Sequence, residues 1–221
     1  MSNRDYKFLK VAFVLISVFG FINPSIGLSQ FTMDVMMENG PPDKRINIVF
    51  LSEGYTASEL TDFDPDAWNV LNHLFQHTPP YVEYQSYFNA YKINVISNES
   101  GSDRPSQEIY KDTYFNSTYG SHGMEYYYII IPPTSREKVY SLLQQYMPEY
   151  DVAFIVVNDP KSGGSGGEFP IFSAHRKEIA AHEMGHSFAG LDDEYDYGRI
   201  GPDVPDIDMW PNTALVQLNG E

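Results

Sequence analysis

The sequence predicts an α/β (α+β) domain, and three observations carry that prediction. Short β-branched apolar runs alternate with longer stretches of helical periodicity. Pro, Gly, Ser and Asp clusters stop most of these runs. A chain of 221 residues that is 42% hydrophobic can bury one proper core, as a single domain or two small ones, and it shows no internal repeat.

Residues 1–29 stand apart from the fold. Arg4, Lys7 and Lys10 make a basic start, residues 11–22 form an uncharged apolar run, and Gly27 and Ser29 precede Gln30. This is the plan of a secretory signal peptide, and the run is short for a membrane span. The expectation is an exported chain (secreted, periplasmic or on the cell surface) whose mature part does not insert into a membrane. An uncleaved N-terminal anchor is the rival reading. With no Cys near the cleavage zone, a lipoprotein anchor is excluded.

Residues 30–44 are polar, with Pro41 and Pro42, and read as a lead-in. The run Ile46-Asn47-Ile48-Val49-Phe50-Leu51 reads as a buried strand ended by Glu53-Gly54. Thr56-Ala57-Ser58-Glu59 has capping-box spacing, and Leu60, Phe63, Ala67, Leu71 and Leu74 follow as one apolar stripe. Asp64-Pro65 reads as a restart of that helix, since Pro suits a first turn. Residues 91–96 read as a second strand and residues 100–105 as a loop.

Residues 126–131 read as a third strand stopped by Pro132-Pro133. Residues 135–146 read as a helix, with Val139, Leu142, Leu143 and Tyr146 inward. Residues 151–157 make a strong fourth strand. The Gly/Ser run at 162–167 reads as a mobile loop beside a cleft. Residues 169–173 suggest a short edge strand, and a helix with two histidines follows.

Formal net charge is −16, and it falls to −18 without Arg4, Asp5, Lys7 and Lys10. Such acidity argues against nucleic acid and anionic membranes as partners, since phosphates are repelled. The absence of cysteine excludes disulfides and thiolate metal sites, so zinc must be held by His, Asp or Glu.

The chemistry lies in His182-Glu183-Met184-Gly185-His186. Histidines four apart on a helix share one face and reach a single ion. Glu183, beside the first ligand, is placed to take a proton from a water activated by zinc. A chance match in a chain of this length has odds of roughly one in a hundred. Gly190 breaks the helix, and Asp192-Asp193-Glu194 follows. In peptidases with an extended motif the third ligand comes three residues after such a Gly, which selects Asp193, with Asp192 and Glu194 as alternatives.

Other candidates take blander readings. His73 and His77 are also four apart, yet no Glu follows His73, and they read as surface or packing residues. His122 sits in a Gly/Ser-rich loop, and His175 reads as a structural residue in the first turn of the histidine helix. Glu53 and Asp103 would make an acid–base pair, but nothing in the sequence brings them together. The Gly/Ser loop is not a nucleophile elbow. Asp196, Asp203, Asp206 and Asp208 read as solvated or calcium-binding acids.

The run from His182 through Leu191, Asp192, Asp193, Glu194 and Tyr195 resembles the signature of the IgA peptidase family of zinc metallopeptidases. The segments at 48–55, 88–105 and 151–157 are similar to that family too, so the likeness spans about residues 45–220. The resemblance implies a zincin-like metallopeptidase domain: a twisted mixed sheet, a backing helix and a zinc helix along the cleft floor. By carry-over, His182 and His186 are zinc ligands, Glu183 is the general base, and Asp193 is the third ligand. One catalytic zinc and a protein or peptide substrate follow from it, while cleavage of immunoglobulin A does not. Only 27 residues follow Glu194, and Met209 comes early for the Met-containing turn that such peptidases place beneath zinc. The catalytic domain, residues 45–221, therefore reads as truncated at its C-terminus. The rival is a non-catalytic exported binding module with a relic zinc site, and a third reading is a calcium-stabilised domain using the acids after 191. Oligomeric state is not legible.

Overall fold

The computed structural model describes residues 31–120 and 128–191. In chain order its strands are β1 (Phe31–Met37), β2 (Ile46–Glu53), β3 (Phe88–Val95), β4 (Thr118–Tyr119), β5 (Ile129–Ile130), β6 (Val152–Val157), β7 (Gly164–Ser165) and β8 (Ile171–Ser173). The helices are α1 (Leu60–His77), α2 (Tyr81–Tyr84), α3 (Pro133–Tyr146) and α4 (Ile179–Ala189). Six strands form one mixed sheet in the order β1-β3-β2-β6-β8-β7, and β4 pairs with β5 in a separate small ladder. The four central strands β3, β2, β6 and β8 run parallel, and β1 and β7 close the two ends antiparallel.

Apolar runs become central strands because both faces are covered. Along β2, Ile48 and Phe50 point into a core shared with Phe63, Leu71 and Leu74 of α1 and with Ala180 and Met184 of α4. Val49 and Leu51 point the other way, toward Val139, Leu142 and Leu143 of α3. Strand β6 alternates likewise, Phe154 and Val156 on the α1/α4 side and Ala153 and Ile155 on the α3 side.

Buried polar groups fasten the loops at the carboxyl ends of the parallel strands, the edge from which α4 begins. Glu53 ends β2 with no exposure and accepts hydrogen bonds from Thr113 Oγ1 (2.5 Å), Phe115 N (2.9 Å) and Ser117 N (2.9 Å). Burial still pushes its carboxyl above the usual range, with those bonds pulling it back. Just past β6, buried Asp159 pairs with Arg104 and accepts from Ser102 N and Lys161 N. Asp103 Oδ1 accepts from Lys111 N, so Glu53 and Asp103 serve different loops rather than one another.

Several elements differ from the sequence-based expectation. The polar lead-in contains strand β1, whose alternation puts Phe31 and Met33 against the α3-side core before a bulge turns Met36 to the other face. Helix α1 runs unbroken through Pro65. Pro65 lacks an N–H only for the carbonyl of exposed Thr61, which water can satisfy, while the stripe behind it stays buried. The capping box is half made: Glu59 accepts from Thr56 N (2.9 Å), but Thr56 Oγ1 donates to the same carboxylate. Within 126–131 only Ile129–Ile130 is strand among the described residues, and it pairs with β4 outside the main sheet. Segment 169–173 yields β8, which is internal because Gly164–Ser165 of the presumed loop pairs beyond it. His175 precedes α4 and is exposed, with Ser162 Oγ 3.2 Å from its Nε2.

Among the described residues no helix is long and apolar enough to cross a membrane. The signal-peptide stretch at 1–29, His122, the candidate ligands Asp192, Asp193 and Glu194, the acids beyond them and Met209 lie outside the described residues.

Candidate metal centre

Helix α4 follows β8 after a short turn and leans on β6 and α1. Ala180 and Met184, one turn apart and essentially unexposed, fix its rotation by entering the core. That rotation leaves His182 exposed, His186 half-buried and Glu183 buried at 7% exposure. The sequence also sets where the helix ends. Gly190 adopts the left-handed conformation at φ 63°, open to Gly at no steric cost. Gly190 N then bonds to His186 O (3.1 Å), the αL cap, and Leu191 N bonds to Gly185 O (3.0 Å), closing the helix end.

The two imidazoles meet as the spacing predicts, with Nε2 atoms 3.1 Å apart and ring centroids 4.6 Å apart. Nitrogens each about 2.05 Å from a tetrahedral zinc stand about 3.3 Å apart, so the pair is set for one ion. The turn after Gly190 supplies a further constraint. Leu191 O lies 2.6 Å from His186 Nδ1. A carbonyl only accepts, so Nδ1 carries the proton and the lone pair of His186 is on Nε2, the tautomer a metal requires. The ligand atoms of His182, Glu183 and His186 all lie within 4.8 Å of one another, and this is the metal-ligating cluster found among the described residues. The donor set therefore fits a divalent cation of nitrogen and oxygen preference. The calcium reading rests on acids outside the described residues.

Gly166 was not singled out by the sequence. It follows β7 and lies against Glu183: a Cβ there would stand 2.5 Å from Glu183 Oε2 and 3.2 Å from His186 Cδ2. The Gly/Ser segment is thus a paired edge strand whose end covers the Glu183 carboxylate, and not merely a loop near a cleft. Gly164 meets Ile179 of α4 in the same way, with a Cβ 3.1 Å from Ile179 Cδ1. Repeated glycine was the visible signal, and contact with the motif was its hidden reason. His73 and His77 stay apart from this centre, their rings 6.0 Å from each other on α1.

The family model described as IgA Peptidase M64 matches residues 35–205 of the chain. No curated protein matches it. With that match, the twisted mixed sheet and its helices form a zincin-like peptidase domain, and the His182–Glu183–His186 cluster is its H-E-x-x-H element.

Proposed function

The chain belongs to the IgA Peptidase M64 family, a metallopeptidase family acting on proteins or peptides, and from that premise we propose an exported zinc endopeptidase with Glu183 as general base. One observation carries the reading: a buried carboxylate beside two imidazoles that converge on one point, one of them fixed in the metal-ready tautomer. His182 and His186 would hold the ion through Nε2. When bound, zinc supplies Lewis acidity, making water a stronger acid and the scissile carbonyl more electrophilic. Glu183 accepts a proton at its carboxylate and returns it to the leaving amine nitrogen. Gly166 keeps bulk water from that carboxylate and holds it in place.

Asp193 remains the proposed third ligand, with Asp192 and Glu194 as alternatives. Its support is the path of the chain: Leu191 is pinned to His186, and a residue two further on lies within about 7 Å of it. The proposed domain takes in β1 as well as residues 45–221. Export rests on the N-terminal pattern of residues 1–29, and the N-terminal mass of the chain recovered outside the cytoplasm tests it.

The decisive experiment measures metal content and hydrolysis of an unfolded protein together. The wild-type chain is expected to carry one zinc and to hydrolyse the substrate. Glu183→Gln should keep the zinc and lose roughly 10²–10⁴-fold in rate, whereas His186→Ala should lose both. Zinc with no turnover in the wild type would favour the binding-module reading. Undiminished turnover in Glu183→Gln would overturn the mechanism.

A further inference from the structure

Gly166 also lines a small pocket of about 50 Å³ that is open to solvent. Buried Ile131, Phe169 and Ile171 contribute apolar walls, and Arg136 of α3 and Glu168 stand among its lining residues. Gly166 lines this pocket and also touches Glu183, so one residue separates the pocket from the catalytic carboxylate.

The two charges are not equivalent. Glu168 accepts a hydrogen bond from Tyr140, whose ring packs edge-on against Phe169 at 5.1 Å. Tyr140 stands one helical turn after Arg136, so the hydroxyl engages the carboxylate that Arg136 leaves unpaired. Among the described residues Arg136 forms no ion pair, and it is the one cation of the pocket wall. In a chain of net charge −16, a lone guanidinium over a pocket of mixed polar and apolar lining is a local exception to the field of the whole protein.

Resting on the peptidase reading above, we propose that this pocket receives one residue of the peptide substrate and that Arg136 selects a carboxylate there. The carboxylate comes from an acidic side chain or from the peptide's own C-terminus, and a planar guanidinium binds either in bidentate fashion. Arg136 is thus a specificity-determining residue, and it takes no part in bond cleavage.

The test separates binding from turnover. The zinc-loaded Glu183→Gln chain is titrated by fluorescence anisotropy with isomeric amidated nonapeptides, each carrying a single Glu at a different position among Gln and apolar residues. Net charge is constant across the set, so long-range repulsion cancels. One further isomer exchanges the Glu for a free C-terminal carboxylate. One placement should bind at least tenfold tighter than the rest, and which isomer wins identifies the carboxylate's source. Adding Arg136→Gln should level the set, Arg136→Lys should keep part of the preference, and unchanged thermal midpoints will show intact folds. Equal binding of all isomers, binding of none, or a preference that survives Arg136→Gln would each overturn the assignment. Hydrolysis by the Glu183-intact chain reads the peptidase proposal separately. Cleavage without positional preference removes the role of Arg136 alone, and preference without cleavage removes the peptidase reading alone.

Discussion

Replacing Gly166 by Ala adds one methyl group, and its consequence follows from two distances. The new Cβ would stand 2.5 Å from Glu183 Oε2 and 3.2 Å from His186 Cδ2. Reaching ordinary contact at about 3.4 Å requires the Glu183 carboxylate to retreat by about 0.9 Å, or the β7 end to shift by as much. A displacement near 1 Å from productive geometry costs up to about 10²-fold in rate, or about 2.7 kcal/mol of transition-state stabilisation. The backbone of Gly166 is not left-handed, so Ala introduces no conformational strain, and the melting temperature should stay close to wild type. The expected result is a fall of about 30- to 100-fold in kcat/KM with zinc content unchanged. Gly167→Ala is the control: nothing lies within 4 Å of its Cβ, yet its φ of +106° strains any L residue, so it should lose stability and spare Glu183. Activity of Gly166→Ala within threefold of wild type would refute the view that this glycine sets the carboxylate.

Glu53→Ala leaves the buried N–H groups of Phe115 and Ser117 without an acceptor, which should cost about 2–5 kcal/mol in urea unfolding; a loss below 1 kcal/mol would mean the loop finds other acceptors. Asp66 accepts from Tyr55 Oη at 2.7 Å, and burial raises its carboxyl above the ordinary 3.8. An acid with a raised folded pKa contributes stability that is full below the unfolded value and lost as pH rises through the folded one. Asp66→Asn keeps the acceptor and never ionises, so its urea midpoint should exceed wild type at pH 7 and converge with it near pH 3.5.

The sequence revealed α4 and its ligands because metal binding writes its requirements locally: two imidazoles at helical spacing with a carboxylate beside the first. Strands β2 and β6 were legible for a different reason, their burial on both faces leaving unbroken apolar runs. What escaped depends on partners far along the chain. Strand β7 is two residues, Gly164 and Ser165, whose extended state exists only through pairing with Phe172 and Ile171. Whether β8 is an edge turns on that pairing and not on its own residues. The sixfold run of Gly and Ser suggested mobility, because composition cannot tell a glycine that frees a loop from one that admits a neighbouring carboxylate. Pro65 misled in the opposite direction, since one lost hydrogen bond at an exposed carbonyl is outweighed by the buried stripe of α1.

Two glycines, one within the motif and one against it, have opposite tolerances set by the geometry of α4. At about 100° per residue, Ala180 and Met184 centre the core face, His182 and His186 lie about opposite, and Glu183 falls midway on one flank. Gly185 falls on the other flank, where a Cβ would meet Leu191 Cδ1 at 3.5 Å, an ordinary contact. No strained backbone is involved, because Gly185 has helical φ, and Ala is favoured over Gly in a helix interior by about 0.8–1.0 kcal/mol. Gly185→Ala should therefore raise the unfolding free energy by up to about 1 kcal/mol while retaining zinc and hydrolysis, even though it lies within the motif. Gly166→Ala, nineteen residues before it, should instead lower hydrolysis at unchanged zinc content and stability. If Gly185→Ala instead abolished zinc binding at unchanged stability, the Leu191 turn that orients His186 would be too tightly set for even one added contact. The rigid part of the site would then be the turn after α4 and not the strand beside it.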